Sequence, residues 1–513
     1  MLYPIGIQNF CDLRTSGYVY VDKTAHIRHL VSTGKYYFLS RPRRFGKSLL
    51  MSTMEAYFEG RKELFEGLDI AEHEKEWTEY PVLHLDLSGT SYRSEQIFDE
   101  KLSSVLDRWE NRYHVSSRYR TESIRFQSVI EAAYAATGRQ VVVLIDEYDK
   151  PIVDNIGNTA LQSVLRDRLQ GFYSVLKTLD GKIRFGFLTG VTKIGKMSVF
   201  SGLNNLNDIS MDASSWDICG ITEAELDRYF GEGVSGMADA LGMTAGECRS
   251  QLRTMYDGYH FCEDTPGVYN PFSLITSLSK KKMGYYWAET GTPAFLIQAL
   301  RADNISLQGL TTDRLPSGVL TGVSADGISP VAMLYQSGYL TIRSYDSRYG
   351  TYTLDYPNRE VENAFTESLS QVYTPRQNED SAFHIQKFAE DIERGDADMF
   401  MNRLSAFFAD NDYQVQGKAE LYFQNTMYIL LKLLGNYVEV ERHTSNGRID
   451  ILLQTSRYVY IIEIKRDKDP SDALDQIDTK AYCLPFQADG RKVIRIGVTF
   501  STASRRIEGW EVQ

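Results

Sequence analysis

Cysteine is scarce in this chain: five in 513 residues (Cys11, Cys219, Cys248, Cys262, Cys483), scattered and with no C-x-x-C among them. An odd, dispersed set argues against a disulfide frame or a zinc ribbon and for reduced thiols. Long apolar runs are missing as well. None approaches the roughly 20 residues that span a bilayer, so no membrane partner is expected. Met1-Leu2-Tyr3-Pro4-Ile5-Gly6 leads into polar residues rather than an apolar leader, and the expected setting is the cytoplasm. There is no cationic excess: 56 Lys and Arg against 68 Asp and Glu give a net charge of −12. Such a chain does not coat nucleic acid by bulk attraction. Residues 420–513 nevertheless hold 13 charges of each sign, which leaves room for a locally basic groove. No internal repeat, low-complexity tract or G-x-S-x-G elbow occurs, and of the eight histidines only His26 and His29 lie close together. Acyl-transfer chemistry has little support here.

What is present begins with an ordinary globular composition, 42% hydrophobic and 24% charged, at a length that suits two or three domains. The apolar run Tyr37-Phe38-Leu39 leads into Ser40-Arg41-Pro42-Arg43-Arg44-Phe45-Gly46-Lys47-Ser48 and then Leu49-Leu50-Met51. Strand, tight loop, Gly-Lys-Ser and helix is the arrangement that cradles nucleotide phosphates. Backbone N–H groups of Arg43, Arg44, Phe45 and Gly46 would face the phosphates, Lys47 would add a charge on the β/γ oxygens, and the Ser48 hydroxyl would hold Mg²⁺. The pattern G-x-x-x-x-G-K-[ST] asks for glycine where Arg41 stands.

About a hundred residues on, Val141-Val142-Val143-Leu144-Ile145-Asp146-Glu147 reads as a strand buried on both faces and tipped by two acids. Ligands of α/β sheets bind at such tips. Asp146 is expected to orient the Mg²⁺ shell and Glu147 to polarise the attacking water. A third strand, Ile183-Arg184-Phe185-Gly186-Phe187-Leu188-Thr189, ends in Thr189, the candidate γ-phosphate sensor, with Thr192 and Lys193 behind it. Pro81-Val82-Leu83-His84-Leu85-Asp86-Leu87 supplies a further strand between the two nucleotide motifs, the order of the ASCE ATPases that include AAA+ and STAND proteins.

Near the C-terminus, 447–453 and 458–465 read as two strands separated by a polar turn, 454–457. A hairpin would set Asp450 almost opposite Ile461 or Ile462 and bring it to the same end as Glu463. Strand alternation places Lys465 on the face of Glu463. Two carboxylates there can hold Mg²⁺ or Mn²⁺ through oxygen ligands. Lys465 can orient a water or offset charge.

The residues around these motifs extend the pattern. The chain resembles the bacterial AAA-ATPase-like proteins that carry a C-terminal PD-(D/E)XK nuclease domain. The resemblance rests on Tyr20-Val21-Asp22-Lys23-Thr24, Arg41 to Ser48, Ile145-Asp146-Glu147-Tyr148-Asp149, Thr189-Gly190-Val191, Ser201-Gly202-Leu203-Asn204-Asn205 and Tyr269-Asn270-Pro271-Phe272-Ser273. It runs over nearly the whole chain, and arginine in place of the first loop glycine is a trait of that family. It implies an α/β fold: a P-loop ATPase core with a parallel sheet (1–217), a helical and winged-helix middle (218–373), a helical linker (374–417) and a small restriction-endonuclease-like domain (418–513). It adds Glu420 as the leading acidic metal ligand and Gln476 as a later catalytic residue beside Asp450, Glu463 and Lys465. The implied cofactors are ATP and Mg²⁺ or Mn²⁺. The implied partner is nucleic acid, DNA before RNA, with a homo-oligomer allowed. Two functions stay open: ATP-gated, metal-dependent phosphodiester cleavage, or a nucleotide-switched interaction module whose nuclease fold does not cut.

Overall fold

The computed structural model describes residues 2–513 apart from 117–118, 120, 195–198, 201–204, 288–295, 298, 301–304, 321–328, 374–379, 410–418, 435–437, 445–446, 489 and 505, and gives the backbone alone at 371–373, 380–385, 409, 419–424 and 438–444. Most of the motif around Ser201 therefore lies outside the described residues. The chain divides into two compact units, Met1–Thr290 with Thr312–Glu362, and Gly291–Thr311 with Asn363–Gln513.

The first unit is built on five parallel strands: β1 (Tyr36–Ser40), β2 (Val82–Asp86), β3 (Val141–Asp146), β4 (Ile183–Gly190) and the short β5 (Asn207–Asp208). Their order is β2-β3-β4-β1-β5. Every residue of β1 and β3 is buried, as the unbroken apolar runs require of a sheet covered on both faces. β2 does intervene in sequence between the nucleotide motifs, but in space it lies at the sheet edge. The strand standing between β1 and β3 is β4, which carries Thr189. Helix Thr159–Thr178 buries Leu165, Leu169, Phe172 and Leu176 at helical spacing, accepts the Tyr36 hydroxyl of β1 on its Leu176 carbonyl and is capped by the Asn158 side chain.

Beyond the sheet the unit turns helical. Thr222 and Glu225 form a capping box at helix Glu223–Leu241, Thr244 and Glu247 repeat it at Ala245–Tyr256, and Asn270 with Pro271 starts Pro271–Lys280. Phe230, Met237, Leu252 and Leu274 join these helices in one core. Helix Pro330–Ser337 then feeds β7 (Thr341–Asp346) and β8 (Thr351–Asp355), with β6 (Arg314–Pro316) completing a small sheet. That is a helix followed by a wing.

The second unit has the strand order β13-β12-β11-β10-β9, with β9 (Val438–Thr444), β10 (Gly447–Gln454), β11 (Tyr458–Arg466), β12 (Lys492–Ser501) and β13 (Arg506–Val512). Only β11 and β12 pair in parallel, joined by the crossover helix Pro470–Thr479. Successive residues of β11 enter opposite cores: Val459 and Ile461 meet Leu474 and Ile477, whereas Tyr460 and Ile462 meet Phe400, Leu404 and Phe408. The latter three lie on helix Ala397–Ala409, and Phe388 and Ile392 on Asp380–Arg394 add to the same core. This stretch falls within 374–417, expected above as a linker. Its described helices are instead built into the wall of the sheet, because their apolar residues recur at i, i+4 and i+8. Among the described residues no helix is long and apolar enough to cross a membrane, and the five cysteines are free.

Candidate functional sites at the two sheet tips

β1 ends in a loop that turns into helix Lys47–Phe58. Two left-handed residues shape it, Arg44 (φ 65°) and Gly46 (φ 91°), and Gly46 is where such backbone costs least. Turns of this kind gather N–H groups into an anion-binding nest. Lys47 Nζ donates to the carbonyls of Arg41 (2.9 Å) and Pro42 (3.0 Å). The side chains of Arg44 and Phe45 turn away from the loop mouth: Arg44 donates to the Tyr286 carbonyl (2.7 Å) and stacks on Phe272, while Phe45 packs between Tyr259 and Phe261. Arg43 is exposed and Ser48 half-buried in the first helical turn. These loop residues can serve a phosphate through their backbone; Lys47 and Ser48 add side chains.

Asp146, buried at the tip of β3, accepts the Thr189 hydroxyl and the Glu147 N–H (3.1 Å). Thr189, expected above as the γ-phosphate sensor, is instead fully buried with its hydroxyl committed to the Asp146 carboxylate, which it fixes. Glu147 is half-buried on left-handed backbone (φ 54°), a conformation costly for a non-glycine residue and frequent at functional sites. Burial raises its carboxyl above the usual range, with Lys47 pulling it back. Lys47, Asp146, Glu147 and Thr189 thus converge at the C-terminal edge of β1, β3 and β4.

Other residues here carried no role in the sequence reading. Asp149, buried, accepts Val191 N–H, Thr192 N–H and the Thr192 hydroxyl, tying the β3 tip to the segment after β4. Its signal was the third acid of Asp146-Glu147-Tyr148-Asp149. Beside Gly46 and Leu49 lies a small apolar cleft of about 90 Å³, lined by Val19, Tyr20, Val21, Ile218, Cys219 and Ile275. The neighbouring Asp22 braces this wall by accepting from Thr24 and from the Asp69 N–H, and Lys23 pairs with Glu225 at 2.6 Å.

In the second unit Ile451 pairs with Ile462, so one step further along the ladder Asp450 stands opposite Glu463, closer than the one- or two-residue offset expected. Asp450 Oδ2 accepts the Ile464 N–H (2.9 Å). Gln476 on the crossover helix bridges the other two members: its amide nitrogen donates to Glu463 Oε1 and its oxygen accepts from Lys465, whose ammonium is 3.5 Å from Glu463. Glu463 is 2% exposed, and its Oε2 has no hydrogen-bond partner among the described residues. Burial, then the Asp450 charge, pushes its carboxyl up to about 7 against the opposing Lys465. Burial raises Asp450 too. A buried oxygen left unsatisfied beside a second carboxylate fits a hard divalent cation. Glu420 lies on helix Ala419–Leu433, but its side chain is outside the described residues. Tyr482, unassigned in the sequence reading, donates to the Arg448 carbonyl (2.8 Å). It approaches Gly447 so closely that a Cβ there would meet its hydroxyl at 2.8 Å.

A phosphate loop and acid-tipped strands on a β2-β3-β4-β1-β5 sheet, together with a D…E-x-K cluster on a mixed sheet, define an AAA-like P-loop fold joined to a restriction-endonuclease-like unit. Comparison with known proteins agrees. Residues 4–200 match the family described as "Predicted AAA-ATPase" (AAA-ATPase_like), and residues 418–510 match a branch of the PD-(D/E)XK nuclease superfamily. The chain is 36% identical over 525 residues to "Uncharacterized protein in vnfD 5'region" of Azotobacter chroococcum mcd 1, covering 99% of this chain and 98% of that relative. It belongs to the AAA-ATPase-like proteins with a C-terminal PD-(D/E)XK nuclease domain.

Proposed function

We propose that this bacterial, cytoplasmic protein binds ATP at the β1–β3–β4 tips and couples its binding or turnover to metal-dependent cleavage of phosphodiester bonds, in DNA before RNA. The observation that supports this reading most strongly is the buried, unpartnered Glu463 Oε2 facing Asp450, with Lys465 held beside it through Gln476. In this reading the ATPase core occupies 1–217, and the nuclease chemistry belongs to 418–513.

Lys47 exchanges its two loop carbonyls for phosphate oxygens. Ser48 and Asp146 hold Mg²⁺, with Thr189 keeping the Asp146 carboxylate in one orientation. Glu147 polarises the attacking water, its raised proton affinity suiting a base. The apolar cleft beside Gly46 takes the nucleotide base. At the other centre Asp450 and Glu463, with Glu420 as third ligand, hold Mg²⁺ or Mn²⁺; a bound divalent ion supplies an acidified water and charge stabilisation at phosphorus. Lys465 orients the water, and Gln476 keeps Lys465 and Glu463 in register. The deciding experiment incubates purified protein with labelled DNA and RNA, with and without Mg²⁺, Mn²⁺ and ATP. Intact nucleic acid under every condition, with binding retained, would move the protein to the class of nucleotide-switched interaction modules.

A further inference from the structure

Arg41 stands where the phosphate-loop pattern has its first glycine, and it is 1% exposed. Its guanidinium donates to the carbonyls of Ser40 (2.9 Å), Ser210 (2.7 Å) and Ser215 (3.0 Å) and lies 4.0 Å from the ring centroid of Phe261. The Nε–H finds no acceptor among the described residues. Among the described residues no carboxylate pairs with it: Asp208 is held by Lys193 at 2.9 Å and Asp217 by His26 at 3.1 Å. Asp208 and Asp217 favour its charge from a distance, but a buried cation whose direct partners are carbonyl dipoles and a ring face still gains from a further counter-charge. The carbonyl of this same residue accepts Lys47 Nζ, so the charge is anchored beneath the loop that Lys47 now touches.

We propose that Arg41 is a second, fixed cation of the nucleotide site, a positioning residue whose counter-charge is the bound polyphosphate. This rests on the reading of 41–48 as the phosphate loop. Arg41 does not touch the phosphates. Its side chain points into the interior, pins the loop to Ser210 and Ser215, and acts on the ligand through a weakly screened field. An arginine is suited to this place because its charge is permanent and its planar fork serves several carbonyls at once. Loss of the charge therefore costs more affinity with each added phosphate, roughly tenfold per charge for a separation of about 10 Å at an effective dielectric near 20. Loss of packing alone would weaken AMP, ADP and ATP alike.

The test is calorimetry of the full chain with AMP, ADP and ATP in metal-free buffer, for wild type, Lys47→Ala, Arg41→Met, Arg41→Lys and Arg41→Gly. The expected result is a ratio of ATP to AMP affinity that falls roughly 100-fold in Arg41→Met, is largely kept in Arg41→Lys, and is not restored by Arg41→Gly even though that change completes the standard loop pattern. If wild type binds no nucleotide, or Lys47→Ala binds ATP equally, the phosphate-loop reading fails first. If both hold and Arg41→Met keeps the wild-type ratio, Arg41 is structural and the proposal is overturned. Should Arg41→Met not fold, Arg41→Gln against Arg41→Lys decides by the same ratio.

Discussion

Glu147 holds its carboxylate on backbone that glycine prefers, one residue beyond an Asp whose own oxygen is fastened by Thr189. That division separates binding from turnover. Lys47→Ala removes a charged donor from the loop, and charge-assisted hydrogen bonds contribute about 1.5–3 kcal/mol each, so ATP affinity should fall by at least about 100-fold in calorimetry. Glu147→Gln keeps shape and hydrogen bonding, so affinity should stay near wild type while phosphate release slows by about 10²–10⁴-fold. His84 gives a pH handle in the same unit. Its ring lies 2.9 Å from Glu55 on the loop helix. Burial pushes its pKa down, but Glu55, with Asp146 and Asp86 further off, outweighs this and raises it above the ordinary 6.5. A raised histidine adds stability that is full below the unfolded pKa and is lost as pH climbs through the folded value. The melting temperature should therefore drop from pH 6.5 upward in nucleotide-free buffer, and His84→Gln should flatten that slope. Equal slopes for the two proteins would show that the pair contributes nothing.

At the scale of elements, the β10–β11 hairpin was legible because alternation and a polar turn specify both register and end. Asp450 and Glu463 had to meet once the strands paired. Fully ionised, two carboxylates about 4 Å apart would repel by roughly 4 kcal/mol at an effective dielectric near 20, the pressure that helps raise the Glu463 carboxyl and that a divalent cation relieves. Millimolar Mg²⁺ or Mn²⁺ should thus raise the melting temperature without nucleotide, and Asp450→Asn should shrink the rise; a flat response in wild type would count against a formed site. The helices over 380–409 were not legible as core. Their many charges read as a solvated linker, and what decided otherwise, a sheet face needing cover, lies 40 or more residues away. Phe400 is fully buried against that face, so Phe400→Ala should cost about 3–5 kcal/mol. A fragment confined to 418–513 should show no cooperative melting by circular dichroism. A sharp transition in that fragment would return the helices to the role of a tether.

For the whole molecule, the two centres fall in separate compact units, and their chemistry should be separable. Glu463→Ala and Lys465→Ala should each remove nearly all nucleic-acid cleavage and leave ATP hydrolysis within about twofold of wild type, with Lys465→Ala still binding metal. Loss of both activities in either variant would mean that the units do not act independently. Sheet order was only partly legible. The apolar runs marked β1 to β4, but which strand stands between the two nucleotide motifs depends on crossover connections that no local pattern records. That order bears on how the protein comes into being. Tyr36 of β1 pairs with Gly186 of β4, 150 residues later, and β5 is made later still. At roughly 5–20 residues per second, a ribosome needs about 8–30 s to supply that partner. Throughout this interval the apolar Tyr-Tyr-Phe-Leu stretch has no neighbour in its sheet. The nascent first unit should then need protection from holding chaperones, and a chain stalled before residue 183 should expose its future phosphate-loop strand as a seed for aggregation.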